Sequence, residues 1–319
     1  MENMQDYLTP NGNGISNNTL TFSDPRFVFI SKQRYLQLMQ DVGDTLVKIN
    51  YAFIKGESLS LLAYGKSGKR ISSDIDILIP RNSLHILEKE LAVKGYKTHL
   101  PSPKQRNARV LCLSSSHQLT PYRKPHKNLN IEIDINFDIF WGEYTGKRID
   151  IINFLTDTIE MNIYGCKVKT LPPLKAMIQL ILHHYKEMNS IYHLAGHNCI
   201  NYNMFKDVYY LWKNNQEAIS LDKLYAISSE YEIIPYVFYV LYFTNWIFKD
   251  TELQKYVETF RTSEGEAHLD YYGLAEKERK PWKVDFQTRL EAENLYEFIR
   301  DDLTEADVEK LERNRRIFG

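Results

Sequence analysis

The segment SDIDILIP, residues 73–80, decides the fold of this chain. Its isoleucines alternate with other residues, which is typical of a β-strand, and Pro80 ends the strand because proline has no N–H for the ladder. Side chains two apart on a strand share a face, so Asp74 and Asp76 lie together and the isoleucines take the other face. Two neighbouring carboxylates repel each other, and oxygen ligands favour Mg²⁺ or Mn²⁺ as the counter-charge. The segment therefore predicts a strand that binds a divalent metal ion.

An exposed strand with two solvated acids would show the same Asp-x-Asp spacing. The neighbouring residues favour burial instead, because Leu78 follows on the acidic face and the strand is apolar enough for the centre of a sheet. This context indicates a functional pair of carboxylates.

A second strand is predicted from Asn130 to Trp141, in which apolar residues alternate with the polar residues Glu132, Asp134, Asn136 and Asp138. A half-exposed antiparallel strand has the same pattern. Beside residues 73–80, however, this strand would supply a third carboxylate. Two-metal phosphoryl or nucleotidyl transfer needs such a set, because two ions bind the attacking and leaving oxygens and a carboxylate can accept the proton of the nucleophile. Any of the three acids on this face could be the third carboxylate.

The turn Lys55-Gly56-Glu57-Ser58 follows an apolar run, Tyr51 to Ile54, that fits a strand, and it precedes a short helix ending near Tyr64. Free N–H groups at a helix start attract phosphate oxygens, and glycine allows a phosphate to approach the backbone. The Ser58 hydroxyl would add another donor. A plain strand-to-helix turn would have the same sequence, so this pattern alone does not decide between the two interpretations.

The remaining pattern predicts three regions. Residues 1–24 are polar and predict a disordered or loosely docked arm. Residues 25–171 predict an α/β domain with helices at 33–50 and 84–94, a strand at 110–113, and a hairpin that pairs 159–163 with 167–170. Residues 172–319 predict a helical domain with helices at 174–188, 202–214, 221–229, 235–248, 286–301 and 305–313.

Composition excludes some classes of protein. The 319 residues have a formal net charge of −1, which argues against a surface that grips nucleic acid along its whole length. Residues 104–127 hold the best candidate for a local basic patch, although a solvated loop would look similar. Three widely spaced cysteines predict reduced thiols, and no apolar run reaches the roughly 20 residues of a membrane span. Without a signal-peptide pattern, the expected location is the cytoplasm.

Three segments occur in an order that resembles the DNA polymerase β-type nucleotidyltransferase superfamily: FIKGESL at 53–59, RISSDIDILI at 70–79 and IDI at 133–135. More narrowly, they are similar to bacterial nucleotidyltransferase-like families with the pattern Lys-Gly…Arg…Asp-Ile-Asp-Leu-Leu. LILHHY at 180–185 and FKDVYYL at 205–211 are similar to the helical region of those families. The resemblance covers about residues 45 to 215. It implies an α+β fold, in which a nucleotidyltransferase-like mixed sheet flanked by helices precedes a helical domain.

The resemblance also implies roles for individual residues. Asp74 and Asp76 would bind the metal ion, and Asp134 would be the third catalytic carboxylate and metal ligand. From their own helical context, Asp207 would either hold a cationic side chain near the cleft or pair locally, and a histidine of the pair at 183–184 would face the cleft unless it belongs to the core. The residues implied to bind the nucleotide are Lys55, Gly56, Ser58, Lys69, Arg70 and His184.

The implied function is metal-dependent transfer of a nucleoside monophosphate from an NTP to an acceptor, with Mg²⁺ or Mn²⁺ as cofactor. The acceptor would be a small molecule, a peptide or protein, or an RNA end, and the near-neutral charge favours the first two. Glu57 stands where the superfamily usually has serine, which leaves open a catalytically degenerate relative that binds a nucleotide or a partner. Hydrolysis of a phosphate ester would use the same carboxylates and is a third interpretation.

Overall fold

The computed structural model describes residues 25–70, 72–127, 129–141, 148–196 and 199–318, so the predicted arm at 1–24 lies outside the described residues. The strands are β1 Ala52–Ile54, β2 Ile75–Leu78, β3 Tyr122–His126, β4 Leu129–Asn136, β5 Ile159–Ile163, β6 Cys166–Thr170, β7 Tyr271–Tyr272 and β8 Lys280–Pro281. The first helices are α1 Pro25–Leu46, α2 Gly56–Tyr64, α3 Leu84–Val93, α4 Ser102–Ser115 and α5 Ile151–Phe154. The others are α6 Pro173–Asn189, α7 Ile191–Leu194, α8 Tyr202–Lys213, α9 Leu221–Glu230, α10 Ile234–Phe248, α11 Thr251–Phe260, α12 Ser263–Leu269, α13 Phe286–Glu291, α14 Tyr296–Ile299 and α15 Glu305–Phe318. Among the described residues, no helix has the length and apolarity needed to cross a membrane.

Six strands form a mixed sheet in the order β3-β4-β2-β1-β6-β5. The pairs β2–β4 and β1–β6 are parallel, and the other neighbours are antiparallel. Helices flank the sheet, and further helices make up most of the C-terminal part, so the predicted α+β class is confirmed. The strand predicted at residues 73–80 is β2, at the centre of the sheet. The parallel register places Asp76 directly beside Asp134 of β4.

Alternate side chains along β2 point to opposite faces of the sheet and pack in two different apolar cores. Ile75, Ile77 and Ile79 pack in one core with residues of α1 and α3. Leu78 belongs to the other core, which also contains residues of β1, α2, α6, α8 and α10. That second core joins residues on both sides of the predicted boundary near residue 171, so the sheet and the C-terminal helices bury apolar surface against each other. The division at residue 171 stays a prediction.

The strand predicted at residues 110–113 was wrong, because these residues lie in helix α4. Ala108 and Cys112 are its buried residues, and their spacing of four is the period of one helix face. A short apolar run such as 110–113 fits either a strand or a helix. The spacing of four between Ala108 and Cys112 is the feature that indicates a helix.

The basic segment at 104–127 is not a solvated loop, because it contains α4 and β3. Three of its cations are paired with carboxylates within 3.0 Å: Arg109 with Glu88, Arg123 with Glu132, and Lys124 with Asp41. These pairs neutralise half of the six lysine and arginine charges that predicted a basic patch over the cleft.

The helix predicted at 286–301 is interrupted. Helix α13 ends at Glu291, and Asn294 starts α14 by accepting a hydrogen bond from the N–H of Tyr296. Helices α11 and α12 were not predicted, although Asp250 and Thr262 cap their first turns with side-chain oxygens. Such capping residues are the local signal for a helix start.

Candidate active site

The turn between β1 and α2 positions a lysine over the sheet. Lys55 has φ 57° and ψ −149°, a backbone conformation that residues other than glycine rarely adopt. Gly56 follows with φ 41°. The buried Ser58 hydroxyl donates to the Lys55 carbonyl oxygen at 2.7 Å and fixes the turn. The Lys55 ammonium lies 2.7 Å from Asp76 Oδ1. The strained turn therefore aims the Lys55 side chain at the carboxylates of the sheet.

Three predicted carboxylates lie on or next to two neighbouring strands of the sheet, near enough for their charges to act on one another. Asp76 of β2 is 4% exposed, and the Asn136 side-chain amide donates to its Oδ1 at 3.2 Å. Asp74 immediately precedes β2 and accepts a 2.6 Å hydrogen bond from the Ser72 hydroxyl. Asp134 lies beside Asp76, and its Oδ1 is buried without a hydrogen-bond partner among the described residues.

The cluster has an excess of negative charge. Burial, together with the charges of Asp76 and Asp74, raises the pKa of Asp134 to about 8 against the opposing effect of Lys55. Burial also raises the pKa of Asp76, although the Lys55 ammonium opposes this shift. A single lysine thus does not balance three carboxylates. Oxygen donors with one unpartnered atom fit a divalent ion such as Mg²⁺ or Mn²⁺, which prefers such ligands.

The other two acids of β4 and its extension are engaged elsewhere. Glu132 forms a bidentate pair with Arg123, at 2.8 and 3.0 Å. Asp138 accepts a 2.8 Å hydrogen bond from Arg148 and another from the N–H of Phe140. Of the three candidates, Asp134 is the acid that lies beside Asp76 with an unpartnered oxygen. This arrangement favours Asp134 as the third carboxylate.

Arg70 is held by the C-terminal helices. Its Nε donates to Asp207 Oδ2 of α8 at 2.7 Å, and the Tyr64 hydroxyl donates to Oδ1 of the same carboxylate at 2.6 Å. The structure thus agrees with the interpretation in which Asp207 holds a cationic side chain. Ser60, which was not predicted, shapes the loop before Arg70 because its hydroxyl oxygen accepts from the N–H groups of Lys69 and Arg70.

Glu57, which departs from the superfamily pattern, is buried, and its carboxylate forms hydrogen bonds within the protein. Its Oε2 accepts from the Gly68 N–H at 2.7 Å, and its Oε1 accepts from the Tyr164 hydroxyl at 2.6 Å. Glu57 therefore ties helix α2 to the loop at 65–70 and to the β5–β6 hairpin. Both of its oxygens are occupied by these donors.

A group of histidines lies on and near α6, close enough to Lys55 for its charge to act on His183. His183 Nε2 lies 3.0 Å from Glu187 Oε1, whereas His184 is 1% exposed. Burial lowers the pKa of both imidazoles to about 3, and the nearby Lys55 ammonium adds to this effect at His183. His184 is therefore a core residue, and His183 is the member of the pair closer to Lys55.

Several residues near the carboxylates were not predicted as site residues. Asn136 stands two positions after Asp134 on the same face of β4, so the period of two along the strand could have identified it as a site residue. Arg34 of α1 donates to the carbonyl oxygens of Ser72 and Asn130 and lies near Asp74, and no local pattern marks it. His117, whose Nε2 is 3.4 Å from the Lys186 ammonium, likewise reaches the cleft only through the fold.

Comparison with known proteins gives one family match. A family described as "Uncharacterised nucleotidyltransferase" matches residues 45–249, which is more than half of the chain. No curated protein matches the sequence.

Two solved structures are similar at low levels. The lincomycin-bound lincosamide antibiotic adenylyltransferase LnuA is 15% identical with a TM-score of 0.34, covering 56% of this chain and 94% of its own. An antigenic nucleotidyltransferase-like protein from Paracoccidioides brasiliensis is 16% identical with a TM-score of 0.31, covering 66% and 90%. At these values neither structure adds to what the family match and the site's own residues indicate.

Proposed function

Since the chain belongs to the uncharacterised nucleotidyltransferase family, we propose that it moves a nucleoside monophosphate from an NTP to an acceptor, using a divalent metal ion held by Asp74, Asp76 and Asp134. The observation that supports this most is that Asp76 and Asp134 are register partners on adjacent strands, with Asp74 two residues before Asp76 and one buried oxygen of Asp134 left without a partner among the described residues. Carboxylate oxygens on a rigid sheet are the ligand type that Mg²⁺ or Mn²⁺ prefers.

The residues take different parts in this proposal. When bound, the ion neutralises the charge that develops on the transferred phosphate. Asp74 and Asp76 hold it, while Asp134 completes the ligand set and accepts the proton of the acceptor group. Lys55 supplies positive charge for the triphosphate at the start of α2, where helix N–H groups also favour anions.

Arg70 supplies a second positive charge at the end of the loop that follows α2. Asp207 and Tyr64 fix its position, so the C-terminal helices contribute to the nucleotide site through Arg70. Lys69, Gly56 and Ser58 complete the proposed nucleotide contacts in the same turn and loop. In this proposal residues 25–171 bind the nucleotide, and residues 172–319 shape the pocket for the acceptor.

The acceptor is proposed to be a small molecule or a peptide group. The net charge of −1 and the three ion pairs within residues 104–127 both weigh against an extended RNA backbone. An RNA end is the other acceptor, and it would require only a short contact.

The test is transfer of label from each α-labelled NTP, with Mg²⁺ or Mn²⁺, into separated small-molecule, RNA and protein fractions. Asp74→Asn and Asp76→Asn should abolish transfer while the fold is kept. Glu132→Gln is the matched control on the same sheet face, and it should retain transfer because Glu132 is paired with Arg123. Unchanged transfer in both aspartate variants would overturn the proposal.

The degenerate alternative predicted from Glu57 makes a different prediction, namely metal-dependent NTP binding without any labelled product. Its support is weaker, because the Glu57 carboxylate is occupied by Gly68 and Tyr164. Hydrolysis of a phosphate ester would release phosphate or pyrophosphate without a labelled adduct, and the fractionated assay separates that outcome as well.

A further inference from the structure

One face of helix α6 presents a second group of metal-binding side chains. His183, His184 and Glu187 each offer a ligand atom, and these atoms all lie within 4.8 Å of one another. His183 Nε2 is 3.0 Å from Glu187 Oε1, and His184 Nδ1 is 3.9 Å from Glu187 Oε2. None of the three is among the carboxylates of the sheet.

We propose that His183, His184 and Glu187 form a separate site for a transition-metal ion with the ligand preference of Zn²⁺. Imidazole nitrogens with one carboxylate select zinc and similar metals, whereas the all-oxygen set of Asp74, Asp76 and Asp134 selects magnesium or manganese. The two sites thus differ in chemistry and would hold different ions.

The spacing of the ligand atoms fits tetrahedral coordination. Zinc–nitrogen and zinc–oxygen bonds of about 2.1 Å place tetrahedral ligands about 3.4 Å apart. His183 Nε2 lies 3.0 Å from Glu187 Oε1, and the three ligand atoms, one from each residue, all lie within 4.8 Å of one another. Small rotations of side chains on one helix face would therefore complete the site.

His184 gives an independent reason to expect a ligand. It is 1% exposed, and neither of its ring nitrogens has a hydrogen-bond partner among the described residues. An unpartnered buried polar atom destabilises the fold. A bond from Nδ1 to a metal ion would satisfy one of these atoms.

The site would be open rather than closed. Three protein ligands leave the fourth tetrahedral position free, as in catalytic zinc sites, and the Glu187 side chain is 33% exposed. The cations Lys55 and Lys186 act electrostatically on this group, so affinity should be lower than in closed structural sites. The free position would accept a water molecule or an anionic group in the cleft.

The test is titration of the metal-stripped full-length protein with Co²⁺, followed by visible absorption, with metal content after Zn²⁺ loading measured by mass spectrometry. The wild type should bind one Co²⁺ with the strong visible absorption of tetrahedral cobalt, which Co²⁺ on the all-oxygen set of the sheet would lack. His183→Gln and Glu187→Gln should each weaken this tetrahedral binding at least roughly tenfold. The exposed His99→Gln is the control and should keep the tetrahedral signal, and Asp134→Asn, which removes a carboxylate of the sheet, should keep it as well.

Because His184 is buried, the two less buried ligands carry the test, and circular dichroism checks that each variant is folded. Absence of Co²⁺ and Zn²⁺ binding in the wild type would overturn the proposal. So would full binding in both His183→Gln and Glu187→Gln, or loss of binding in Asp134→Asn alone, which would assign the ion to the carboxylates. The readout is metal binding, so its result is independent of the proposed transfer activity.

Discussion

Replacing Asp134 by asparagine should make the metal-free protein more stable. Asp134 and Asp76 are register partners on adjacent strands, which lie about 4.8 Å apart. Because burial and the charges of Asp76 and Asp74 raise the pKa of Asp134 to about 8, at pH 7.5 the folded protein must hold a proton that the unfolded chain releases, and this destabilises the fold. The buried Asp134 oxygen adds about 1–3 kcal/mol because it lacks a partner. Lys55 offsets part of this sum through Asp76, so we expect a net gain of about 2 kcal/mol for Asp134→Asn.

The assay is chemical denaturation at pH 7.5, in chelator and again with Mn²⁺. In chelator, Asp134→Asn should unfold at a higher denaturant concentration than the wild type. With Mn²⁺ at a hundred times its dissociation constant, the wild type should gain about 2.7 kcal/mol and the variant much less. Glu132→Gln is the control, and it should lose no more than about 1 kcal/mol because it breaks a partly exposed ion pair.

The reasoning is refuted if Asp134→Asn is less stable than the wild type in chelator. Equal stabilisation of both proteins by Mn²⁺ would also refute it, because the ion would then bind without Asp134. A gain in stability together with loss of metal binding would show that this carboxylate is kept at a cost to the fold.

Three further predictions concern the surrounding structure. Asp207→Asn should cost about 3 kcal/mol in chemical denaturation, because it leaves the Arg70 guanidinium without its carboxylate, and no loss would contradict the role given to this pair. Burial lowers the pKa of His268 to about 4. Above about pH 6.5 this histidine is neutral in both the folded and the unfolded protein, and as the pH falls toward 4 the unfolded chain takes up the proton more readily, which lowers the free energy of unfolding. From pH 7.5 to 5 the wild type should therefore lose about 2 kcal/mol more than His268→Phe, and parallel denaturation curves at both pH values would speak against this. Glu57→Gln should lower the free energy of unfolding by about 1–2 kcal/mol, because an amide nitrogen cannot accept the hydrogen bond from the Gly68 N–H. The affinity for NTP should stay unchanged. Tighter NTP binding by this variant would favour the degenerate alternative.

The central strand and its site were readable from local pattern. The period of two in residues 73–80 placed Asp74 and Asp76 together and sent the isoleucines to one core. The hairpin at residues 159–170 was also predicted, and the left-handed conformations of Tyr164 and Gly165 are those of a tight turn. In each case the deciding interaction lies within a few residues of chain.

Other features depended on contacts between distant residues. The choice of Asp134 over Glu132 and Asp138 follows from the partners Arg123 and Arg148, which the strand pattern does not specify. The structural role of Glu57 follows from Gly68 and from Tyr164, which lies 107 residues away. The wrong prediction of a strand at 110–113 also reflects missing information on packing, because a short apolar run fits either a strand or a helix until its contacts are known.

Paired labelling of one NTP tests the central claim most directly. The α-phosphate and the γ-phosphate would each be labelled, and the wild type would be compared with Asp76→Asn in the presence of Mg²⁺ and the acceptor fraction found active. The account predicts one α-label in a covalent product for each labelled pyrophosphate released, and neither signal in the variant. Labelled orthophosphate without an adduct, or equal signals from the variant, would contradict nucleotidyl transfer at this site.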